Sequence, residues 1–177
     1  RLFLESGLEH LVPLQHPDMD KWRDSLRHGL MSRFEETNII LTGGVDDIWQ
    51  NTENGKLVVA DYKSQANTKE LEPNSYLSDP YKDGYKVQMD FYAYLLQQMG
   101  FEVEDTAYFL VCNADRMANG FYSEMKFQEV LIPYQWNSEW VHGKATEMIN
   151  LLNGNKKPDA NPSCKNCAYA RQRALFE

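Results

Sequence analysis

The chain has 177 residues, of which 42% are hydrophobic and 25% charged, and its formal net charge is −8. This composition is typical of a globular domain, and we expect a single domain over residues 1–177 with a cysteine-pair tail at about 160–177. No apolar run reaches the roughly 18–20 residues of a membrane span, and no signal-peptide pattern is present, so we expect a cytoplasmic protein. The acidic balance counts against nucleic-acid binding, because phosphate affinity comes largely from Lys and Arg.

The first third of the chain predicts a helix followed by a β-hairpin. Residues 18–36 place apolar side chains at helical spacing, which predicts an amphipathic helix. Residues 38–50 are rich in β-branched residues and predict a strand, and residues 56–64 predict the return strand. Asn54-Gly55 between them is a hairpin dipeptide, so we expect the two strands to pair antiparallel.

The rest of the chain alternates helices and strands. Residues 65–84 are polar and contain two prolines, which predicts a long loop. The patterns that follow predict two helices, two strands and a C-terminal segment that turns helical after a linker: helices 85–100 and 137–155, strands 105–114 and 126–134, linker 156–163, segment 164–177. This order predicts an α/β fold with a mixed central sheet flanked by helices.

The second hairpin strand, Leu-Val-Val-Ala-Asp-Tyr-Lys-Ser, is apolar but ends in opposite charges. Side chains alternate along a strand, so Asp61 and Lys63 share one face, about 7 Å apart. Asp46 and Asp47 of the preceding strand point to opposite faces, and one of them can lie opposite Asp61. Two carboxylates that converge in a half-buried place favour a hard divalent cation such as Mg²⁺, beside which Lys63 could hold water or stabilise a phosphate. The alternative is an ordinary ion pair at a strand end.

Three motifs in this order resemble the PD-(D/E)xK nuclease superfamily, in particular its RecB-like branch, which includes CRISPR-associated exonucleases and the nuclease domains of bacterial recombination helicases. The family pattern is a G-x-(I/V)-D strand, a (D/E)-x-K strand some fifteen residues later, and a helix with Q-x-x-x-Y. The resemblance covers about residues 38–112 and implies a restriction-endonuclease-like core. The matching residues are Gly44/Val45/Asp46, Asp61/Tyr62/Lys63 and Gln88/Tyr92.

The resemblance implies a metal site and a catalytic lysine. Asp46, Asp61 and the backbone carbonyl of Tyr62 would bind Mg²⁺ or Mn²⁺, and Lys63 would orient or activate the hydrolytic water. Asp47 is the alternative to Asp46, which keeps the family's spacing from the glycine.

The same resemblance implies a role for the helix that carries Gln88 and Tyr92. These residues are four apart and share a helix face, which would face the site and contact DNA or support Lys63. The structural alternative is that Tyr92 is a core aromatic beside Phe91 and Tyr94.

Relatives often add an upstream histidine as a further metal ligand. The candidates are His10, His16 and His28, of which His28 is placed in the predicted first helix together with Asp24. None has the family's local context, so this ligand stays open.

Cys164 and Cys167 have a metal-ligand spacing. In some RecB-like nucleases, one N-terminal and three C-terminal cysteines hold a [4Fe–4S] cluster, whereas here the third cysteine, Cys112, falls in a predicted strand and is expected in the core. One reading is a reduced pair without a cluster. The other is a partial zinc or iron–sulfur site completed by a histidine, a residue outside this sequence or a second chain.

The resemblance therefore implies a metal-dependent deoxyribonuclease, an exonuclease or an enzyme that trims DNA ends. DNA would be its substrate and proteins of a CRISPR or recombination complex its partners, with no membrane involved. The alternative is a catalytically inactive module of the same fold that binds nucleic acid or protein, favoured by the net charge of −8 and the incomplete cysteine set.

Overall fold

The computed structural model of the protein describes residues 2–117, 119–120, 123–159 and 161–176. The chain divides into two compact units, residues 1–141 and 142–177. The helices are α1 Leu2–Glu5, α2 Met19–Arg23, α3 Pro73–Tyr76, α4 Asp83–Gln98, α5 Glu139–Asn153 and α6 Lys165–Arg173, with a 3₁₀ turn at Pro80–Lys82. The strands are β1 Leu11–Pro13, β2 Leu30–Arg33, β3 Ile40–Gly43, β4 Asp47–Asn51, β5 Leu57–Gln65, β6 Thr106–Ala114 and β7 Phe127–Gln135. None of the described helices is both long and apolar enough to cross a membrane.

The central feature of the first unit is a mixed five-stranded sheet in the order β1-β4-β5-β6-β7. Strand β5 lies in its middle, antiparallel to β4 and parallel to β6, and the turn at residues 51–56 joins β4 to β5 as the Asn-Gly signal predicts. The predicted mixed α/β sheet flanked by helices is therefore confirmed.

The alternation of β5 separates two apolar clusters. Leu57 and Val59 pack into the larger one, where α4 covers the sheet, and Val58 and Ala60 pack with Trp49 into the smaller one. Burying a side chain of this kind stabilises the fold by about 1.5–3 kcal/mol. The apolar half of β5 thus fixes which face the polar end of the strand presents.

The predicted helix over residues 18–36 is wrong. Helix α2 ends at Arg23, and residues 30–33 form β2, which pairs antiparallel with β3 in a separate two-stranded sheet. Gly29 has a φ of +98°, which ends the turn after α2. Leu30 is fully buried as a strand residue, whereas Leu26 is 94% exposed, so the helical spacing of apolar residues was coincidental.

The predicted loop over residues 65–84 also needs correction. It contains α3 and the 3₁₀ turn, and the sheet anchors it through side-chain bonds. Asn113 Oδ1 accepts from the backbone N of Asn67 at 2.9 Å, and Gln128 Oε1 accepts from the backbone N of Leu71 at 2.8 Å. Both anchors come from strands distant in sequence, which is why local composition did not reveal them.

The predicted strand 38–50 is two strands, β3 and β4, which belong to different sheets. The chain changes direction at Gly43-Gly44, where it passes close to other elements. A Cβ on Gly44 would lie 2.6 Å from Ser25 Cα, and one on Gly43 would lie 2.8 Å from the ring of Tyr92. Only glycine permits these approaches.

We therefore expect Gly44→Ala to destabilise the protein by about 1–3 kcal/mol, because the added methyl group meets the backbone of Ser25. Urea unfolding followed by circular dichroism measures this change. Gly84→Ala is the matched control, since no atom lies within 4 Å of its added Cβ and alanine favours a helix. Equal unfolding midpoints for the two variants would contradict the assignment.

Candidate active site

The polar end of β5 carries a buried carboxylate beside a lysine. Asp61 is 1% exposed, and Lys63 Nζ lies 2.6 Å from its Oδ2. This ion pair lacks the angles of a hydrogen bond, and neither carboxylate oxygen of Asp61 has a hydrogen-bond partner. Buried polar atoms normally have one, so the lone pairs of this carboxylate are not used by hydrogen bonds and could bind a cation.

Asp46 lies just before β4 and brings a second carboxylate to the same place. Its Oδ2 accepts a hydrogen bond from the backbone N of Tyr62 at 2.8 Å. The backbone pairing between β4 and β5 ends at Asp47–Ala60. Beyond that pair, the side chain of Asp46 and not the β4 backbone accepts the hydrogen bond from Tyr62. Asp46 lies close enough for its charge to raise the pKa of Asp61.

The backbone carbonyl of Tyr62 faces the same side. In a strand the N–H and C=O of one residue point to one neighbour, and alternate residues point to opposite neighbours. Since the N–H of Tyr62 points toward Asp46, its carbonyl also points to the β4 side, beyond the last paired residue of β4. Two carboxylates and one backbone carbonyl thus lie together at the polar end of β5.

The pKa of Asp61 is raised above its ordinary value. Burial is the main cause, the Lys63 ammonium opposes it, and the negative charge of Asp46 adds to it. Ionisation of Asp61 is therefore less favourable in the folded protein than in water, even with Lys63 beside it. A cation between Asp46 and Asp61 would relieve both burial and repulsion.

Helix α4 positions Lys63. Lys63 Nζ donates to Gln88 Oε1 at 3.1 Å, and Gln88 Nε2 donates to Tyr92 Oη at 2.7 Å. Nζ also lies 4.5 Å from the centre of the Tyr85 ring, a cation–π contact. Tyr92 is 7% exposed, so it serves the core and the polar chain at once.

Asp47 faces away from this site and has its own partners. Its Oδ1 lies 2.5 Å from Arg23 Nη2, and its Oδ2 accepts from Tyr62 Oη at 2.6 Å and from Trp49 Nε1 at 3.3 Å. Burial and the Asp47 charge raise the pKa of Tyr62 to about 12, so its hydroxyl stays a donor. Arg23 Nε also donates to the backbone O of Asp46 at 3.1 Å, so these bonds hold the Asp46 backbone in place.

The oxygen ligands beside β5 suit a hard divalent cation. Mg²⁺ typically takes one or two carboxylates together with waters and phosphate oxygens, and Asp46, Asp61 and the carbonyl of Tyr62 supply such oxygens. Among the described residues no group of three or more His, Cys, Asp or Glu side chains is placed to hold a metal ion. The fit therefore rests on two carboxylates, Asp46 and Asp61, and on the absence of hydrogen bonds to the oxygens of Asp61.

His28 does not join this group. It lies in the turn after α2 and not in a helix as predicted, and its Nδ1 contacts Asp24 Oδ2 at 3.1 Å. His16 stacks on Trp22, with ring centres 4.2 Å apart. The backbone O of His10 accepts from the backbone N of Thr52.

The cysteine pair lies in the second unit, at the start of α6. Cys164 caps this helix, with its Sγ accepting from the backbone N of Cys167 at 3.3 Å, and both thiols are free. A hydrogen bond with the Cys167 side chain and, to a smaller extent, the one from the Cys167 backbone lower the pKa of Cys164. Cys112 is half-buried in β6 and not fully buried as predicted.

Sequence patterns missed several side chains that surround the predicted residues. Tyr85 precedes Gln88 by three positions and shares its helix face, a signal that was available in the sequence. Arg23 reaches Asp47 from 24 positions away. No local pattern announces that contact.

A mixed sheet whose central strand carries Asp-Tyr-Lys in its polar half, beside an aspartate that precedes the neighbouring strand, defines a restriction-endonuclease-like fold with an acidic site at the polar end of that central strand. The chain belongs to the PD-(D/E)XK nuclease superfamily, whose sequence profile matches residues 5–172. Members of this superfamily are generally nucleases, which typically use divalent metals. No curated protein and no solved structure matches the chain.

When a chelator removes divalent metal ions, we expect Asp61→Asn to stabilise the protein at neutral pH by on the order of 1 kcal/mol. Because the pKa of Asp61 is higher in the folded than in the unfolded chain, its protonated form favours the folded state. This contribution to stability is complete below the unfolded-state pKa and is lost as the pH rises through the folded-state pKa. Asparagine resembles the protonated form and avoids this loss. Urea unfolding between pH 3 and 8 measures the difference, which should vanish at the acidic end.

The matched control is Asp47→Asn, because Asp47 is also buried but has an arginine and several donors around it. Losing hydrogen bonds to a charged group costs about 1.5–3 kcal/mol. The two neighbouring substitutions should therefore change stability in opposite directions. A loss of stability in both would show that Asp61 is an ordinary structural carboxylate.

Proposed function

We propose that the protein is a Mg²⁺- or Mn²⁺-dependent DNA nuclease of the RecB-like branch, which hydrolyses phosphodiester bonds as an exonuclease or in trimming DNA ends. The observation that carries this proposal is the buried carboxylate of Asp61, which forms no hydrogen bond and lies next to Asp46 and the Lys63 ammonium. Superfamily membership supports nuclease chemistry, and the oxygen ligands support a hard cation.

In this proposal Asp46, Asp61 and the carbonyl of Tyr62 hold the metal. A divalent ion bound there would act as a Lewis acid on phosphate oxygens and lower the pKa of a bound water. The chain's own part is to fix these oxygens. The Arg23–Asp47 pair supports the Asp46 backbone, and the sheet supports Asp61.

Lys63 is proposed to hold the attacking water. An ammonium has three donors, of which one is used by Gln88, while the contact with Asp61 is an ion pair without hydrogen-bond angles. Lys63 therefore keeps a donor for a water or phosphate oxygen. Gln88 and Tyr92 are positioning residues in this scheme, because their hydrogen-bond chain fixes the direction of the lysine.

DNA as substrate, partners in a CRISPR or recombination complex, a cytoplasmic location and one nuclease domain with a cysteine-pair tail are parts of the same proposal. The net charge of −8 favours the alternative, an inactive module that binds nucleic acid or protein. Steering of a polyanion depends on the local field, however, so lysines beside the site count for more than the total.

The first test is cleavage of single- and double-stranded DNA with Mg²⁺ or Mn²⁺. We expect activity that chelation abolishes and that Asp46→Ala, Asp61→Ala or Lys63→Ala each reduces by at least about a hundredfold. Asp105→Ala is the matched control, since this exposed carboxylate precedes β6 at the other end of the sheet. Calorimetry should show Mn²⁺ binding that Asp61→Ala removes.

Activity that survives the combined Asp61→Ala and Lys63→Ala substitutions would refute the proposed mechanism. DNA binding without cleavage and without Asp61-dependent metal binding would establish the inactive module instead.

The second test concerns the positioning of Lys63. Tyr92→Phe removes the hydroxyl that accepts from Gln88, so we expect kcat to fall about tenfold with little change in KM, because a misdirected lysine affects the reaction more than binding. Tyr94→Phe, a buried tyrosine two positions along α4, should leave both constants unchanged. Equal effects of the two substitutions would argue that Tyr92 only packs.

A further inference from the structure

The described residues contain three buried side-chain N or O atoms without a hydrogen-bond partner, and they belong to two residues. Two are the carboxylate oxygens of Asp61, and the third is the hydroxyl oxygen of Tyr76. Tyr76 is 8% exposed. A buried hydroxyl without a hydrogen-bond partner lowers the stability of the fold by about 1–3 kcal/mol. A ligand that accepts a hydrogen bond from Tyr76 would remove this penalty.

Tyr76 ends α3, in the segment 66–82 that leads from β5 to α4. Its ring lies 4.7 Å from Lys82 Nζ, and the same ammonium lies 5.0 Å from the ring of Tyr85. Lys63 Nζ lies 4.5 Å from that Tyr85 ring. A continuous cluster of two lysines and two tyrosines therefore connects Tyr76 to the Asp61 site.

Lys82 has no carboxylate within ion-pair distance among the residues that the structure describes, whereas Lys63 has Asp61. Two ammonium groups thus share the ring of Tyr85, and only one of them is neutralised. The aromatic contacts orient Lys82 but leave its charge uncompensated. Such a charge attracts an anion, and the neighbouring site is one that we assign to phosphodiester chemistry.

A cavity of about 500 Å³ opens beside these residues and gives a ligand room. Tyr76, Lys82 and Lys69 line it together with Glu70, Glu72 and Asp79. With three carboxylates against two lysines the lining has no excess of positive charge, so an anion would be held at Lys82 and not throughout the cavity.

We propose that Tyr76 and Lys82 form a phosphate subsite for the nucleic-acid strand beside the Asp46–Asp61 site. The Tyr76 hydroxyl donates to a phosphate oxygen and Lys82 neutralises its charge, which positions the strand for cleavage of a neighbouring bond. This inference rests on the proposed nuclease function and extends it to residues outside the three motifs.

The chemistry of Tyr76 suits an anionic acceptor. Burial, with smaller contributions from Tyr85 and Asp61, raises the pKa of Tyr76 to about 12. The phenol therefore stays protonated at neutral pH and remains a donor. Because the hydroxyl has no protein partner, a phosphate oxygen would replace no existing bond.

The experiment measures DNA binding by fluorescence anisotropy with Ca²⁺, a cation that also takes oxygen ligands, while a gel checks that the strand stays intact. We expect Lys82→Gln to weaken binding about tenfold and to reduce the slope of log K against log salt by about one. Tyr76→Phe should weaken binding by a similar factor without changing the slope. Since both contact one phosphate, their effects should be less than additive.

Matched controls are Tyr81→Phe, an exposed tyrosine of the same segment, and Lys56→Gln, a lysine at the opposite end of β5. Both should bind like the unsubstituted protein. Thermal unfolding should show that Tyr76→Phe is no less stable, because it removes an unsatisfied group. Strands with a 5′-phosphate or a 5′-hydroxyl then distinguish a terminal phosphate from an internal one.

Unchanged affinity and salt slope in Lys82→Gln and Tyr76→Phe, with tight binding by the unsubstituted protein, would overturn the subsite and leave the nuclease proposal standing. Absence of DNA binding by the unsubstituted protein would overturn both.

Discussion

The carboxylate of Asp61 is buried at the polar end of the central strand, next to the like charge of Asp46. This burial is electrostatically unfavourable, and several neighbouring side chains are placed to offset part of it. Neither oxygen of Asp61 has a hydrogen bond, and burial raises its pKa. A protein selected for stability alone would place an apolar residue there. The position is explained if a cation is bound between the two carboxylates during function.

The neighbouring residues keep this arrangement in place without neutralising it completely. Lys63 offsets part of the charge, and Gln88 and Tyr92 fix its direction from α4. On the other face of the sheet, the Arg23–Asp47 pair holds the backbone from which Asp46 extends. Two adjacent aspartates thus have opposite tasks, because strand alternation turns Asp46 toward the acidic site and Asp47 toward its own donors.

The net charge of −8 and the assignment to a nuclease superfamily are compatible once charge is considered locally. Lys63 and Lys82 both lie against Tyr85, and among the described residues only Lys63 has a carboxylate partner, Asp61. The segment 66–82 brings Lys82 to this place, although its composition predicted only a loop. The unpaired ammonium of Lys82 beside the site can attract a phosphate locally, whatever the total charge of the chain.

The sequence by itself determined the mixed fold, the hairpin and the face that Asp61 and Lys63 share, because strand alternation and turn signals are local. The spacing of Gln88 and Tyr92 on one helix is local in the same way. Tertiary structure decided that residues 30–33 form a strand, that the strand predicted at 38–50 divides at Gly43-Gly44, and that β6 and β7 anchor the segment 66–82. Those outcomes depend on pairing and packing between residues far apart in sequence, such as Gly44 against Ser25, and no local pattern encodes such contacts.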